Sequence, residues 1–99
     1  MSDLAFLQKL EAVIQQRLAD ASTESYTARL AAQGVLTVAQ KVGEEGVELA
    51  LAAAAQDRAR VTAEAADLVY HVLLLLAMRE LTLGDVVAEL ERRHEPVGG

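Results

Sequence analysis

Two acid-bearing stretches decide the fold of this chain: Lys41-Val42-Gly43-Glu44-Glu45-Gly46-Val47-Glu48 and Glu64-Ala65-Ala66-Asp67-Leu68-Val69-Tyr70-His71. Both lie within sequence that is rich in Ala, Leu and Val. Residues three or four apart share a face of an α-helix, so the carboxylates of each stretch lie together if both stretches are helical. The fold must therefore place two groups of carboxylates in a largely apolar protein.

The composition indicates one small all-α domain. The chain has 99 residues, 53% of them hydrophobic, and no segment shows the sustained alternation of a strand. We expect a helical bundle of four to five helices, with a single domain over residues 1–95 and a frayed tail over 96–99. Small bundles often complete their core by self-association, so we expect dimerisation to complete this one, as a homodimer.

The sequence also limits the cellular compartment and the classes of binding partner that we expect. The chain has no Cys, which excludes disulfides and thiolate metal sites. Its N-terminus lacks the features of a signal peptide, and the apolar run 68–78 is too short to cross a membrane. We therefore expect a cytoplasmic protein with no membrane contact. A formal net charge of −6 and 3% aromatic residues argue against nucleic-acid binding.

Helical periodicity predicts the first part of the bundle. Residues 3–20 carry one apolar stripe between polar residues, which is typical of an amphipathic helix, and Ser2 is its expected N-cap. A short helix then begins at the cap Ser25 and ends at Gly34. The buried stripe of the first helix is expected to contain Leu4, Leu7, Leu10, Ile14 and Leu18.

Two long helices are predicted to carry the acids. Thr37-Val38-Ala39-Gln40 has the form of a capping box, which predicts a helix from Thr37 to about Ala55. The next helix, over 60–80, is apolar nearly all round in its second half and is expected to be the most buried. A last amphipathic helix begins at a second capping box, Thr82 to Asp85.

The carboxylates themselves favour a cation site. Like charges about 4 Å apart repel by roughly 4 kcal/mol at an effective dielectric of 20. Four or five acids on two packed helices must therefore protonate, face water or bind a cation. Paired acids are common on solvated helix faces, but two pairs on consecutive apolar helices favour a site. Oxygen ligands without Cys favour Mg²⁺, with Mn²⁺ as a substitute.

The residues next to the acids in the sequence could each have one of two roles. Gly43 and Gly46 cost the helix roughly 1 kcal/mol each relative to Ala, so they serve either close helix packing or room for a ligand. Lys41 either forms an ordinary ion pair within its helix or contacts a phosphate. His71 is either a hydrogen-bonded core residue or the residue that orients the carboxylate of Asp67.

The two stretches resemble the phosphoribosyl-ATP pyrophosphatase family of histidine biosynthesis. This family is part of the all-α, MazG-like nucleotide pyrophosphohydrolases, which carry a Glu-Glu-x-x-Glu … Glu-x-x-Asp pattern. Ser25-Tyr26-Thr27-Ala28-Arg29-Leu30 and Leu81-Thr82-Leu83-Gly84-Asp85-Val86 are similar to the family as well, so the resemblance covers about residues 5–94. The chain departs from the family at Gly46, where Ala is usual, and at Glu80, where a Gly commonly ends the helix.

This resemblance implies a reaction and a set of site residues. Water would attack 1-(5-phosphoribosyl)-ATP at the α–β phosphate linkage, with Mg²⁺ required, and release phosphoribosyl-AMP and pyrophosphate. The catalytic residues would be Glu44, which orients or deprotonates the water, and Glu45. Matched residue by residue, the metal ligands would be Glu45, Glu48, Glu64 and Asp67. The residues that bind the substrate would be Lys41, Ser25, Thr27, Arg29 and His71.

Three alternatives stay open. A MazG-type pyrophosphohydrolase acting on free nucleoside triphosphates would use the same metal site. A di-iron carboxylate bundle needs Glu-x-x-His on two helices, and only Glu91-Arg92-Arg93-His94 has this form. In a non-catalytic helical dimerisation module, the acids would be solvated.

Overall fold

The computed structural model describes residues 3–20, 25–55 and 57–95, and its regular secondary structure there is entirely helical. The predicted all-α fold is therefore confirmed. The expected cap Ser2, the linker 21–24 and the tail 96–99 lie outside the described residues. The five helices are α1 (Phe6–Ala19), α2 (Tyr26–Ala32), α3 (Val35–Ala55), α4 (Arg58–Met78) and α5 (Leu83–Arg93).

The helices α3 and α4 form a hairpin around which the rest of the bundle is arranged. They are consecutive, equally long and joined by two residues, and they share the most extensive contact in the protein. The helices α1 and α2 pack against this hairpin, whereas α5 makes few contacts with the other helices. One buried cluster joins α1 to α4; it consists of Ile14, Leu30, Val38, Leu73 and Leu74.

Capping explains where α2 and α5 begin. The side chain of Ser25 accepts a hydrogen bond from the backbone N–H of Ala28, 3.1 Å away, as the sequence predicted. Thr82 and Asp85 form a full capping box at the start of α5, in which each side chain accepts from the backbone of the other residue. Such caps stabilise a helix end by typically about 1 kcal/mol.

Two residues in the left-handed region end α2 and α4. Gly34 has a φ of 102°, and Glu80 has a φ of 60°. Glycine adopts this conformation without strain, which confirms the predicted role of Gly34. The resemblance implied a Gly in place of Glu80, and the positive φ explains why a residue without a Cβ suits that position.

Two predicted boundaries of the long helices were wrong. The helix α3 begins at Val35, and Thr37 lies inside it, where its hydroxyl donates to the carbonyl of Gln33, 3.3 Å away. The helix α4 begins at Arg58 rather than at residue 60. Its N-cap is Asp57, whose side chain accepts a hydrogen bond from a backbone N–H of the first turn, 2.9 Å away. The capping-box rule thus chose the wrong residue for α3, and the periodicity placed the start of α4 two residues too late.

The start of α1 also differs from the prediction. The side chain of Asp3 accepts a hydrogen bond from the N–H of Ala5, 2.9 Å away; such local bonds compete with helix formation, and the helix begins only at Phe6. Leu4, expected in the buried stripe, is 84% exposed. Ile14 does anchor α1 in the core, with the other stripe leucines partly buried around it.

Among the described residues, α4 is long and apolar enough, by length and composition alone, to cross a membrane. The apolar run 68–78, which is too short to cross a membrane, is only the second half of this helix of 21 residues. The core helix of a bundle satisfies the same criteria. In this structure α4 packs along α3 and contributes Leu73 and Leu74 to the core.

Candidate functional site

The carboxylates of the two acid-bearing stretches differ sharply in burial. Glu45 is 7% exposed and Glu64 is 5% exposed. By contrast, Glu44, Glu48 and Asp67 are exposed. Most of these acids thus avoid the cost of burial by facing water, and the electrostatic problem of the site is concentrated on the two buried carboxylates.

Glu45 has a buried oxygen with no satisfying hydrogen bond. Its Oε1 lies 2.6 Å from Nδ1 of His71, but it accepts no well-formed hydrogen bond. The Nδ1–H of His71 is directed instead to the backbone carbonyl of Asp67, 2.8 Å away. Buried polar atoms are nearly always satisfied in native proteins. An unsatisfied carboxylate oxygen at this place is therefore suited to bind a cation.

Burial raises the pKa of the Glu45 carboxyl above its ordinary value. The positive charges of His71, when protonated, and of Lys41 oppose this shift, whereas repulsion from Asp67 acts in the same direction as burial. Ionised Glu45 is therefore costly in the protein alone, and a bound cation would relieve that cost.

His71 is held on both sides of its ring. Its Nε2 lies 2.8 Å from the hydroxyl of Tyr26 on α2, and the ring makes edge-to-face contacts with Tyr26 and Tyr70. The side chain is buried, as expected for a hydrogen-bonded core histidine. The expected contact with Asp67 exists, but it is made to the backbone carbonyl and not to the carboxylate.

Glu64 is paired with a cation that the sequence reasoning missed. The guanidinium of Arg60 lies 2.9 Å from its Oε1. Arg60 and Glu64 are four residues apart, a spacing that brings oppositely charged side chains together on one face of a helix. Arg60 is largely exposed, whereas the side chain of Glu64 is only 7% exposed, so the guanidinium compensates a buried carboxylate. A cation that binds Glu64 must therefore displace Arg60.

The residues expected to bind the substrate have mixed surroundings. Thr27 is buried, with its hydroxyl bonded to that of Tyr70, so in this structure it does not face a ligand. Ser25 caps α2, Arg29 is exposed on the same helix, and Lys41 is half-buried on α3. Of these residues, Arg29 and Lys41 carry a permanent positive charge.

The two glycines of α3 do not serve close packing within this chain. A Cβ added at Gly43 or at Gly46 would meet no atom of the described residues within 4 Å. Both glycines therefore leave open space on the surface of α3. That space is open to a ligand or to another protein chain.

The acids fit Mg²⁺ better than a metal that needs a complete protein cage. Among the described residues, no three His, Asp or Glu side chains form a ready metal-binding group. Mg²⁺ is usually bound by one or two carboxylates together with waters and substrate phosphates. Glu45 offers one buried oxygen with no satisfying hydrogen bond, and its carboxyl group is close enough to Asp67 for their charges to repel.

Comparison with known proteins gives consistent matches. The profile of a family described as Phosphoribosyl-ATP pyrophosphohydrolase matches residues 7–94. The chain is 59% identical over 86 residues to a Phosphoribosyl-ATP pyrophosphatase of Pyrobaculum aerophilum, which covers 87% of this chain and 92% of that protein. A protein of the same name from Pyrobaculum islandicum is 56% identical over 87 residues, or 88% of this chain and 93% of the relative.

A second group of relatives is longer. The Histidine biosynthesis bifunctional protein HisIE of Yersinia pestis is 49% identical over 94 residues, which is 95% of this chain but only 46% of that protein. The chain thus spans about half the length of this bifunctional relative.

Proposed function

Because this chain belongs to the phosphoribosyl-ATP pyrophosphohydrolase family, we propose that it hydrolyses 1-(5-phosphoribosyl)-ATP to 1-(5-phosphoribosyl)-AMP and pyrophosphate, in the second step of histidine biosynthesis. The match over nearly the whole chain and the names of the relatives support this activity. The structural observation that carries the proposal is the buried carboxylate of Glu45, whose Oε1 has no satisfying hydrogen bond and is suited to bind a cation.

We propose that Mg²⁺ is that cation and that Glu45 and Asp67 hold it, with Glu48 and Glu64 as further ligands. When bound, Mg²⁺ would polarise the phosphoryl group and stabilise the pyrophosphate leaving group. Mn²⁺ is expected to substitute. The net charge of −6 repels an anionic substrate, and a cation at this place reverses the local field.

Other side chains complete the proposed reaction. Glu44 is exposed next to the buried acid, and its Oε2 accepts a hydrogen bond from Gln40, 3.1 Å away. We propose that this carboxylate orients or deprotonates the attacking water. Lys41 and Arg29 provide positive charge for the phosphates. These roles follow from charge and exposure on α2 and α3.

The proposed activity predicts pyrophosphate release from phosphoribosyl-ATP that requires a divalent metal. Pyrophosphate should be produced with Mg²⁺ and fall to the level of the enzyme-free control with EDTA, since the carboxylates cannot polarise phosphate without a cation. ATP, dUTP and dCTP serve as comparison substrates in the same assay. Cleavage of these nucleotides with phosphoribosyl-ATP left intact would instead indicate a free-nucleotide pyrophosphohydrolase, and no cleavage at all would favour the non-catalytic dimerisation module.

We also propose that the protein forms a homodimer through the outer face of α3. Leu36, Val47 and Leu51 are exposed on this face, Leu36 by 86%, and Gly43 lies between them. The radius of gyration is 15.3 Å, against about 13 Å for a compact domain of this length. A monomer with such an open arrangement leaves apolar surface that a second copy would cover.

The homodimer can be tested with a charge on this face. Leu51→Glu should shift the protein from dimer to monomer in sedimentation velocity, because the carboxylate would be buried against apolar surface. Leu4→Glu is the matched control, because it changes another exposed leucine that lies outside α3, and this variant should remain dimeric. A monomeric wild type at micromolar concentration, or equal behaviour of the two variants, would contradict the proposed interface.

A further inference from the structure

Tyr26 connects α2 with the buried acid of the site through a single histidine. Its hydroxyl lies 2.8 Å from Nε2 of His71. On the opposite side of that ring, Nδ1 lies 2.6 Å from Oε1 of Glu45. Tyr26 lies on α2 and Glu45 on α3. Neither a catalytic nor a binding role has been assigned to Tyr26 above.

The hydrogen-bond partners of His71 determine which of its ring nitrogens carries the hydrogen. The backbone carbonyl of Asp67, 2.8 Å from Nδ1 of His71, can only accept, so Nδ1 carries a hydrogen. In the neutral ring Nε2 is then an acceptor, and the hydroxyl of Tyr26 must donate to it. Tyr26 and the Asp67 carbonyl together specify one tautomer and one orientation of the imidazole.

We propose that Tyr26 is a positioning residue that acts through His71 on Glu45. By donating to Nε2 it keeps the Nδ1–H side of the ring against the Asp67 carbonyl and Glu45 Oε1. This keeps the carboxylate in place for the cation. The effect on catalysis rests on the proposed pyrophosphohydrolase function, whereas the tautomer of His71 can be tested without any enzymatic activity.

The opposite tautomer would disturb the site. An unprotonated Nδ1 would place its lone pair against two oxygens, the Asp67 carbonyl and Glu45 Oε1, at 2.8 and 2.6 Å. The ring would turn away from this repulsion, and Glu45 Oε1 would lose the nitrogen that lies 2.6 Å from it. Residues that orient a metal ligand typically contribute about 10–100-fold to metal affinity or activity.

The same aromatic cluster contains a matched control. Tyr70 also joins α2 to α4 through its hydroxyl, which is bonded to that of Thr27, but this hydroxyl does not touch a nitrogen of His71. Tyr26→Phe and Tyr70→Phe each remove one hydroxyl and keep the ring contacts with His71. A merely structural role in joining α2 to α4 would therefore affect both variants alike.

The decisive measurement is the ¹⁵N spectrum of the histidine rings, recorded near pH 8, where histidine is ordinarily neutral. The chain has only two histidines, so a His94→Gln variant assigns the signals. Wild type and Tyr70→Phe should show His71 protonated at Nδ1. Tyr26→Phe should show a fraction protonated at Nε2. Calorimetric titration with Mg²⁺ should give roughly tenfold weaker binding for Tyr26→Phe and less than twofold change for Tyr70→Phe.

Kinetics of the three proteins complete the test. With phosphoribosyl-ATP, Tyr26→Phe should lower kcat about tenfold and change KM less than twofold. An Nε2-protonated His71 in the wild type would overturn the proposal even if Tyr26→Phe failed to fold. So would an unchanged tautomer in Tyr26→Phe, or equal losses in both variants. If the wild type cleaves no phosphoribosyl-ATP, the proposed function fails, but the spectra still decide the role of Tyr26.

Discussion

Glu45→Gln is expected to lower the turnover of phosphoribosyl-ATP on the order of 10³-fold or more. The substitution keeps the shape of the side chain but removes the charge that would hold Mg²⁺. Loss of several kcal/mol of metal-assisted transition-state stabilisation corresponds to a rate loss of this size. Steady-state pyrophosphate release at saturating Mg²⁺ measures the effect.

The same variant should not lose stability. Burial raises the pKa of the Glu45 carboxyl, so its neutral form is favoured in the folded protein and ionisation at neutral pH lowers the free energy of unfolding. A neutral Gln avoids this cost. The metal-free variant should therefore be at least as stable as the wild type at pH 7. The difference in free energy of unfolding should disappear as the pH falls through the pKa of Glu45, because the carboxyl group of the wild type then becomes neutral as well.

Urea unfolding in EDTA, compared at pH 7 and at low pH, measures this difference. Glu91→Gln provides the control, because Glu91 is an exposed carboxylate on α5, far from the acid-bearing helices in sequence. It should leave turnover and stability nearly unchanged. Turnover of Glu45→Gln within tenfold of the wild type would remove Glu45 from the metal site. A large loss of stability would show that the carboxylate has a structural role instead.

Leu74→Ala is expected to lower the free energy of unfolding by about 3 kcal/mol, within the range of roughly 2–5 kcal/mol for buried leucines. Leu74 is 0% exposed and lies in the cluster that joins α1, α2 and α3 to α4. Its truncation leaves a cavity where these helices meet. Domains of this size are stable by only about 5–15 kcal/mol, so a large share of the total is lost.

Chemical unfolding at fixed protein concentration measures this effect, because self-association would make stability depend on concentration. Leu4→Ala is the matched control, since it removes the same atoms from an exposed leucine. It should change stability by less than about 0.5 kcal/mol. Similar losses in both variants would mean that the cluster around Leu74 does not hold the bundle together.

Local patterns in the sequence determined the helices and the family. Periodicity depends only on the chain itself, so it predicted the helices of the bundle. The caps Ser25 and Thr82 were found because each contacts a backbone N–H within its own turn. Gly34 was found because a left-handed φ favours glycine. The spacing of the acids by itself indicated only the MazG-like superfamily, and the segments 25–30 and 66–71 made the resemblance specific to one family.

Only the tertiary structure decided which of these acids are buried and which face water. Glu45 and Glu48 have the same residue type and lie on one helix, yet Glu45 is buried and Glu48 is exposed, because only the face that packs on α4 is covered. Tyr26 reaches His71 across 45 residues of sequence, a contact that no periodicity contains. Burial and hydrogen-bond partners depend on how separate helices pack. Packing brings together residues that are far apart in the sequence, and no local sequence pattern predicts these contacts.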